Sequence, residues 1–184
     1  MLGVGCTRRP GDTESMSLWK KLIEGRAATA IRREKGAAAT ESRLVLEDRE
    51  PDARIRNASP QQRLAVAAAV ARWAVTAVQL TEPTLDLALA HLAAGKPASP
   101  ALTSAVKKLV SYLDDKYLRL REQWDEGGGV SEAQVLAAFG HARAADSVGY
   151  ALSGDADGAA YEAIQATDKL PEVHAVVLSA LFRR

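Results

Sequence analysis

Arg63 to Leu80 reads RLAVAAAVARWAVTAVQL, and the fold turns on where this run goes. Fourteen of its eighteen residues are alanine, valine, leucine or tryptophan. A membrane span needs about 20 largely apolar residues, and an arginine at its centre, here Arg72, costs roughly 2.5–3.5 kcal/mol on insertion scales. Alanine is too weakly hydrophobic to offset that, so the run does not cross a membrane. Alanine has instead the best helix propensity and loses no side-chain entropy. Wound as a helix, Leu64, Ala67, Ala71, Val75 and Val78 line one side, and Val66, Val70, Trp73 and Ala77 line another. Arg63, Arg72, Thr76 and Gln79 are the polar outlets. A helix apolar around most of its circumference belongs at the centre of a bundle.

Working outward, the local signals agree. Ser59-Pro60-Gln61-Gln62 places a hydroxyl at the N-cap, proline at the first helical position and glutamine three residues after the cap, the pattern of a capping box. A second helix runs from Pro83 to Ala94 and stops at Gly95. Ser99-Pro100 repeats the start signal, and Leu102, Val106, Leu109, Leu113, Tyr117, Leu120 and Trp124 follow at steps of three and four. That is an amphipathic helix facing a core, with Asp114 among the charged residues off its stripe. Gly127-Gly128-Gly129 ends it. Val130-Ser131-Glu132-Ala133-Gln134-Val135 is a second capping box, with Val130 and Val135 as a hydrophobic staple. It opens a helix to Leu152 whose Ala138, Ala142, Ala145 and Gly149 would admit a close neighbour. A short helix near Asp157–Asp168 and a last one from Pro171, with Val173, Val176, Val177, Ala180 and Leu181 inward, complete the pattern.

Upstream of Ser59 the character changes. Ser17 caps a basic helix over residues 17–35, which holds six Lys/Arg against two Glu. Residues 37–58, with RLVLEDREPDARIRN, read as a ragged hairpin or an extended linker around a charged Asp48–Asp52 turn. Residues 1–16 read as a disordered extension. The GVGC motif at Gly3–Cys6 lacks the apolar stretch of about 7–15 residues that a secretory signal needs before its cut, and either Met1 or Met16 can serve as the start. The expected architecture is therefore all-α: about five helices over 59–184, preceded by a basic helix and an irregular or short-hairpin linker over 17–58.

The 184 residues carry 24 Lys/Arg and 23 Asp/Glu, a net charge of +1, so no global bias toward nucleic acid or acidic membrane exists. The single cysteine, Cys6, cannot form an internal disulfide, which fits a cytoplasmic setting. The 17–35 helix is the one localised charge feature. Trp19, Lys20, Lys21, Arg26, Arg32 and Arg33 make it the candidate interaction segment, toward a protein partner, a membrane surface or nucleic acid.

Catalytic signatures are missing. No G-x-x-x-x-G-K-[ST] run or G-x-S-x-G elbow occurs. His91, His141 and His174 have no second histidine or carboxylate at helical metal-site spacing, and Glu172 and His174, two apart, point in different directions. Asp155-Ala156-Asp157-Gly158 fails as a calcium loop: with Gly158 at the sixth position, Ser153 stands first and Ile164 twelfth, where carboxylates are required. Asp155 and Asp157 read instead as turn and cap residues at a helix N-terminus. No metal, cofactor or catalytic residue is assigned. The candidate polar site is His141, Arg143 and Asp146 on one helix.

SPQQRLAVAAAVARWAV, with Gln62-Arg63 leading into the alanine-rich helix, resembles the opening of the YjaG-like bacterial families of unknown function. HARAADSVGYAL, His141–Leu152, is similar to an alanine-rich helix of those families. The resemblance spans 59–168 and implies a compact all-helical bacterial protein, with no catalytic residues to carry over. The expected function is a non-enzymatic interaction or accessory protein, immunity-like, that meets a protein partner or itself through a helical face. The alternatives are a small-ligand or enzymatic bundle using carboxylates and His141, and peripheral membrane or nucleic-acid binding through 17–35.

Overall fold

Proline and serine punctuation sets the helix starts. The computed structural model describes residues 43–47, 49–96 and 98–182; the basic segment with Trp19, Lys20, Lys21, Arg26, Arg32 and Arg33 lies outside the described residues. A 3-10 turn at Arg43–Leu46 is followed by α1 (Arg49–Arg56), α2 (Pro60–Ala77), α3 (Pro83–Ala93), α4 (Pro100–Asp125), α5 (Glu132–Leu152), α6 (Ala156–Thr167) and α7 (Leu170–Phe182). The described residues contain no strand, and the fold is all-α. Among the described residues from Pro60 onward there are six helices, somewhat more than the five expected.

Both capping boxes form. Gln62 Oε1 accepts from Ser59 N at 3.0 Å while Ser59 Oγ accepts from Gln62 N at 3.3 Å. Ser131 and Gln134 repeat the exchange. Gln62 does more than the sequence suggested: its Nε2 donates to the Leu181 carbonyl at 3.1 Å, satisfying a free group in the last turn of α7.

Within the segment expected as a ragged hairpin or extended linker, the described residues form the 3-10 turn and the helix α1. Glu50 and Asp52 lie in the first turn of α1 and Arg54 and Arg56 in its last, the order that the helix dipole favours. They also pair at i,i+4, Glu50 with Arg54 at 2.8 Å and Asp52 with Arg56 at 2.5 Å. Pro51, near the start of the helix, removes an N–H that has no partner there in any case. Leu44 and Ile55 are fully buried, and α1 packs on α6 and α7.

The opening run takes the central place. α2 packs against α3, α5, α6 and α7, with Val66, Ala67, Val70, Ala71, Ala74 and Val75 buried. Trp73 is half-buried against the core, whereas Leu64, in the second turn, is exposed. No helix among the described residues is long and apolar enough to cross a membrane.

A second, smaller core stands apart. The last half of α4 and the first half of α5 pair through Tyr117, Val135, Ala138 and Phe139, with Leu120, Trp124 and Val130 partly buried around them. The Tyr117 and Phe139 rings meet edge to face at 5.3 Å. This helical hairpin rests on its own apolar seam.

Candidate polar site

On α5, Arg143, Asp146, Ser147 and Tyr150 recur at steps of three and four, so they share one side of the helix. α6 comes very close to α5: Ser147 Oγ donates to the Ala159 carbonyl at 2.8 Å, and a Cβ on Gly140 would meet the Ala166 carbonyl oxygen at 2.8 Å. Glu162 lies on α6 between those two carbonyls and therefore meets Arg143 inside the protein.

Arg143 and Glu162 are 9% and 1% exposed. Glu162 is held by two arginines, Oε1 by Arg43 Nη1 at 3.0 Å and Oε2 by Arg143 Nη1 at 3.2 Å. Arg143 Nη1 also reaches Asp146 Oδ2 at 3.3 Å, and Nη2 pairs with Asp114 of α4. Arg43 comes from the 3-10 turn. Its Nη2 donates to the Tyr150 hydroxyl at 2.7 Å, and its guanidinium lies over the Tyr150 and Tyr161 rings, 4.5 Å from the latter centroid. Four elements thus meet in one ion network.

The network holds two guanidinium groups against three carboxyls, so one negative charge is left over if all ionise. Asp146 absorbs that imbalance. Burial first, then the Glu162 charge and that of Asp114 raise it to about 6, with Arg143 and Arg43 pulling the other way. For Arg143, burial works against the charge, but Glu162, Asp114 and Asp146 more than restore it, and its pKa rises. Nε of Arg143 is buried without a hydrogen-bond partner. Chemically the cluster can exchange one proton and hold four elements together; both Nη atoms and both Glu162 oxygens are occupied.

The structure brings Arg143 and Asp146 together and sends His141 elsewhere. Two positions from Arg143, His141 faces the end of α2, where its Nε2 donates to the Val78 carbonyl at 3.1 Å. That bond fixes the proton on Nε2 and gives the histidine a structural role. Sequence reasoning missed Arg43, Asp114 and Glu162. Asp114 adjoins the inward Leu113 and sits at the edge of the stripe. Glu162 had a usable signal: on α6 its neighbours Gly158, Ala159 and Ala166, at helical spacing, are small and apolar, so a carboxylate there was placed to be buried.

Elsewhere, Arg72, Thr76, Gln79, Leu80 and Asp86 border an open depression of about 510 Å³ between α2 and α3. Arg72 spans it weakly toward the Leu89 carbonyl at 3.4 Å. Asp155 caps α6, accepting from Gly158 N at 2.8 Å, at the helix N-terminus where Asp155 and Asp157 read as turn and cap residues. Among the described residues no group of three or more His, Cys, Asp or Glu is arranged to hold a metal ion. No family model, curated protein or solved structure matches this chain.

Proposed function

We propose that the chain is a non-enzymatic interaction or accessory protein, bacterial and immunity-like in kind, that acts through the helical face of the α4–α5 hairpin. One observation carries this reading. Leu118 and Leu136 are 58% and 44% exposed on a hairpin that already spends its inward residues on its own small core. Each follows an inward residue, Tyr117 and Val135, by one position. Because the two helices run antiparallel, that step turns both leucines to the same side of the hairpin. Paired exposed leucines on a two-helix element suit a helix-on-helix contact with a partner or a second copy. The resemblance to the YjaG-like families belongs to the same proposal and supplies its bacterial setting.

The ligand-binding alternative draws on Arg143, Asp146 and His141. The ion pairs of the first two and the Val78 contact of the third count against it, since these groups are already engaged. Chemical crosslinking of the tagged chain in expressing cells, with light scattering of the purified chain, tests the proposal. The expected result is a stable complex that Leu118→Glu/Leu136→Glu disrupts while circular dichroism stays unchanged. A lone monomer, or a complex indifferent to the double substitution, overturns it.

A further inference from the structure

Two carboxyl oxygens are buried without a hydrogen-bond partner: Oδ1 of Asp52 and Oδ1 of Asp157. They come from the first turns of two helices that pack together, α1 and α6. Asp52 is 3% exposed and gives only its Oδ2 to Arg56. Asp157 follows the capping Asp155 by two residues. An acceptor shut away from water needs a donor, and no side chain supplies one here. A proton can.

We propose that Asp52 and Asp157 form a proton-operated latch between α1 and α6. With Asp157 protonated, the pair carries one negative charge and gains a hydroxyl donor. With both ionised, the negative charge of Asp52 acts against that of Asp157, and segment 43–56 loosens. Release would uncover the core where Leu44 and Ile55 are buried, so acidification closes this face and neutral pH eases it open.

The surrounding groups fit that account. Burial, then the charge of Asp52 and that of Asp155, push Asp157 up to about 6, while Arg56 of α1 and Arg63 of α2 oppose the shift. Also on α1, Glu50 is paired with Arg54, and His174 of α7 lies within electrostatic reach of it. The 3-10 turn contributes Arg43, which is committed to Glu162. His174, through Glu50, and Asp146, through the network that holds Arg43, are therefore the neighbours substituted as controls.

Hydrogen exchange of the full chain at pH 5.0 and 7.5, corrected for intrinsic rates, reads the latch through the amides of 43–56. Protection is expected to fall about tenfold between the two conditions, the equivalent of one pKa unit of differential proton binding. Asp157→Asn, a permanent donor, should hold the high protection at both pH values. His174→Gln and Asp146→Asn should leave most of the pH dependence in place. Equal wild-type protection at both pH values, persistence of the dependence in Asp157→Asn, or its loss in His174→Gln overturns the latch. A carboxyl carbon NMR titration of the unsubstituted chain needs no variant: a midpoint near 6 for Asp157 supports the latch and one near 4 overturns it.

Discussion

Asp146 shows how one residue carries the imbalance of its whole neighbourhood. Glu162 lies at the centre of the network, with a guanidinium group on each of its oxygens. Asp146, at the rim with 28% of its side chain exposed, is the carboxyl left to take the proton. Its pKa of about 6 in the folded chain lies above the ordinary 3.8. The folded protein therefore binds this proton more tightly than the unfolded chain between those values. The stabilisation is fully present below pH 3.8 and is lost as pH rises through about 6. Asp146→Asn keeps the shape and removes the ionisation. It should raise stability by roughly 1–2 kcal/mol at pH 7.5 and change it little near pH 4, as read by urea unfolding at the two pH values. A loss at pH 7.5 would mean that the Arg143 contact outweighs burial and the neighbouring negative charges. The i,i+3 spacing of Arg143 and Asp146 made their pairing readable in the sequence. Nothing local announced Arg43, which reaches Tyr150 across 107 positions, because only the folded chain brings the two together.

At the level of elements, the ends of helices were far more legible than their contacts. Caps are local chemistry, and Ser59, Ser99, Asp155 and Ser131 each accept from a backbone N–H three residues on, as the sequence suggests. The 43–56 segment was misread because its charged run resembles a turn until the i,i+4 pairs are drawn on a helix. Of the four small residues expected to admit a close neighbour, Ala138, Ala142 and Ala145 are buried, and Gly149 is the exception. Gly149 was expected to admit a neighbouring backbone, yet a Cβ there meets only Asp146 Oδ1 at 3.7 Å and Val106 Cγ1 at 3.9 Å, ordinary contacts. Gly140 is the true crossing point of α5 and α6, because its Cβ would strike a backbone oxygen that cannot swing away. The two glycines should thus respond oppositely to the same substitution. Gly149→Ala is expected to stabilise by up to about 1 kcal/mol through helix propensity. Gly140→Ala is expected to destabilise by about 1–3 kcal/mol through overpacking. Thermal and urea unfolding of the pair measure both signs in one experiment.

Across the whole molecule, burial divides the described residues into two cores of unequal size, and this division shapes how the chain opens. The larger core gathers the 3-10 turn, α1, α2, α3, α5, α6 and α7 with α4 as far as Leu113 around the alanine-dense run. The smaller one is confined to the α4–α5 hairpin. The stripe from Leu102 to Trp124 reads as one continuous seam in sequence. Its residues as far as Leu113 enter the large core, and from Tyr117 onward it packs on the first half of α5, a difference set by how far α4 outruns its neighbours. At 26 residues it is about 39 Å long, and no other described helix matches it. An element resting on few buried side chains opens at lower free energy than the body it joins. Tyr117 is the largest buried side chain of the small core, and Tyr117→Ala should remove about 3 kcal/mol of its packing. Hydrogen exchange should then show lost protection in the second half of α4 and the first half of α5, with α2 amides unchanged. Equal loss in α2 would mean that the two cores unfold as one unit. Confinement to the hairpin would establish it as a separately yielding element, free to adjust its exposed leucines to another surface, with Arg143 over the Phe139 ring as its link to the ion network.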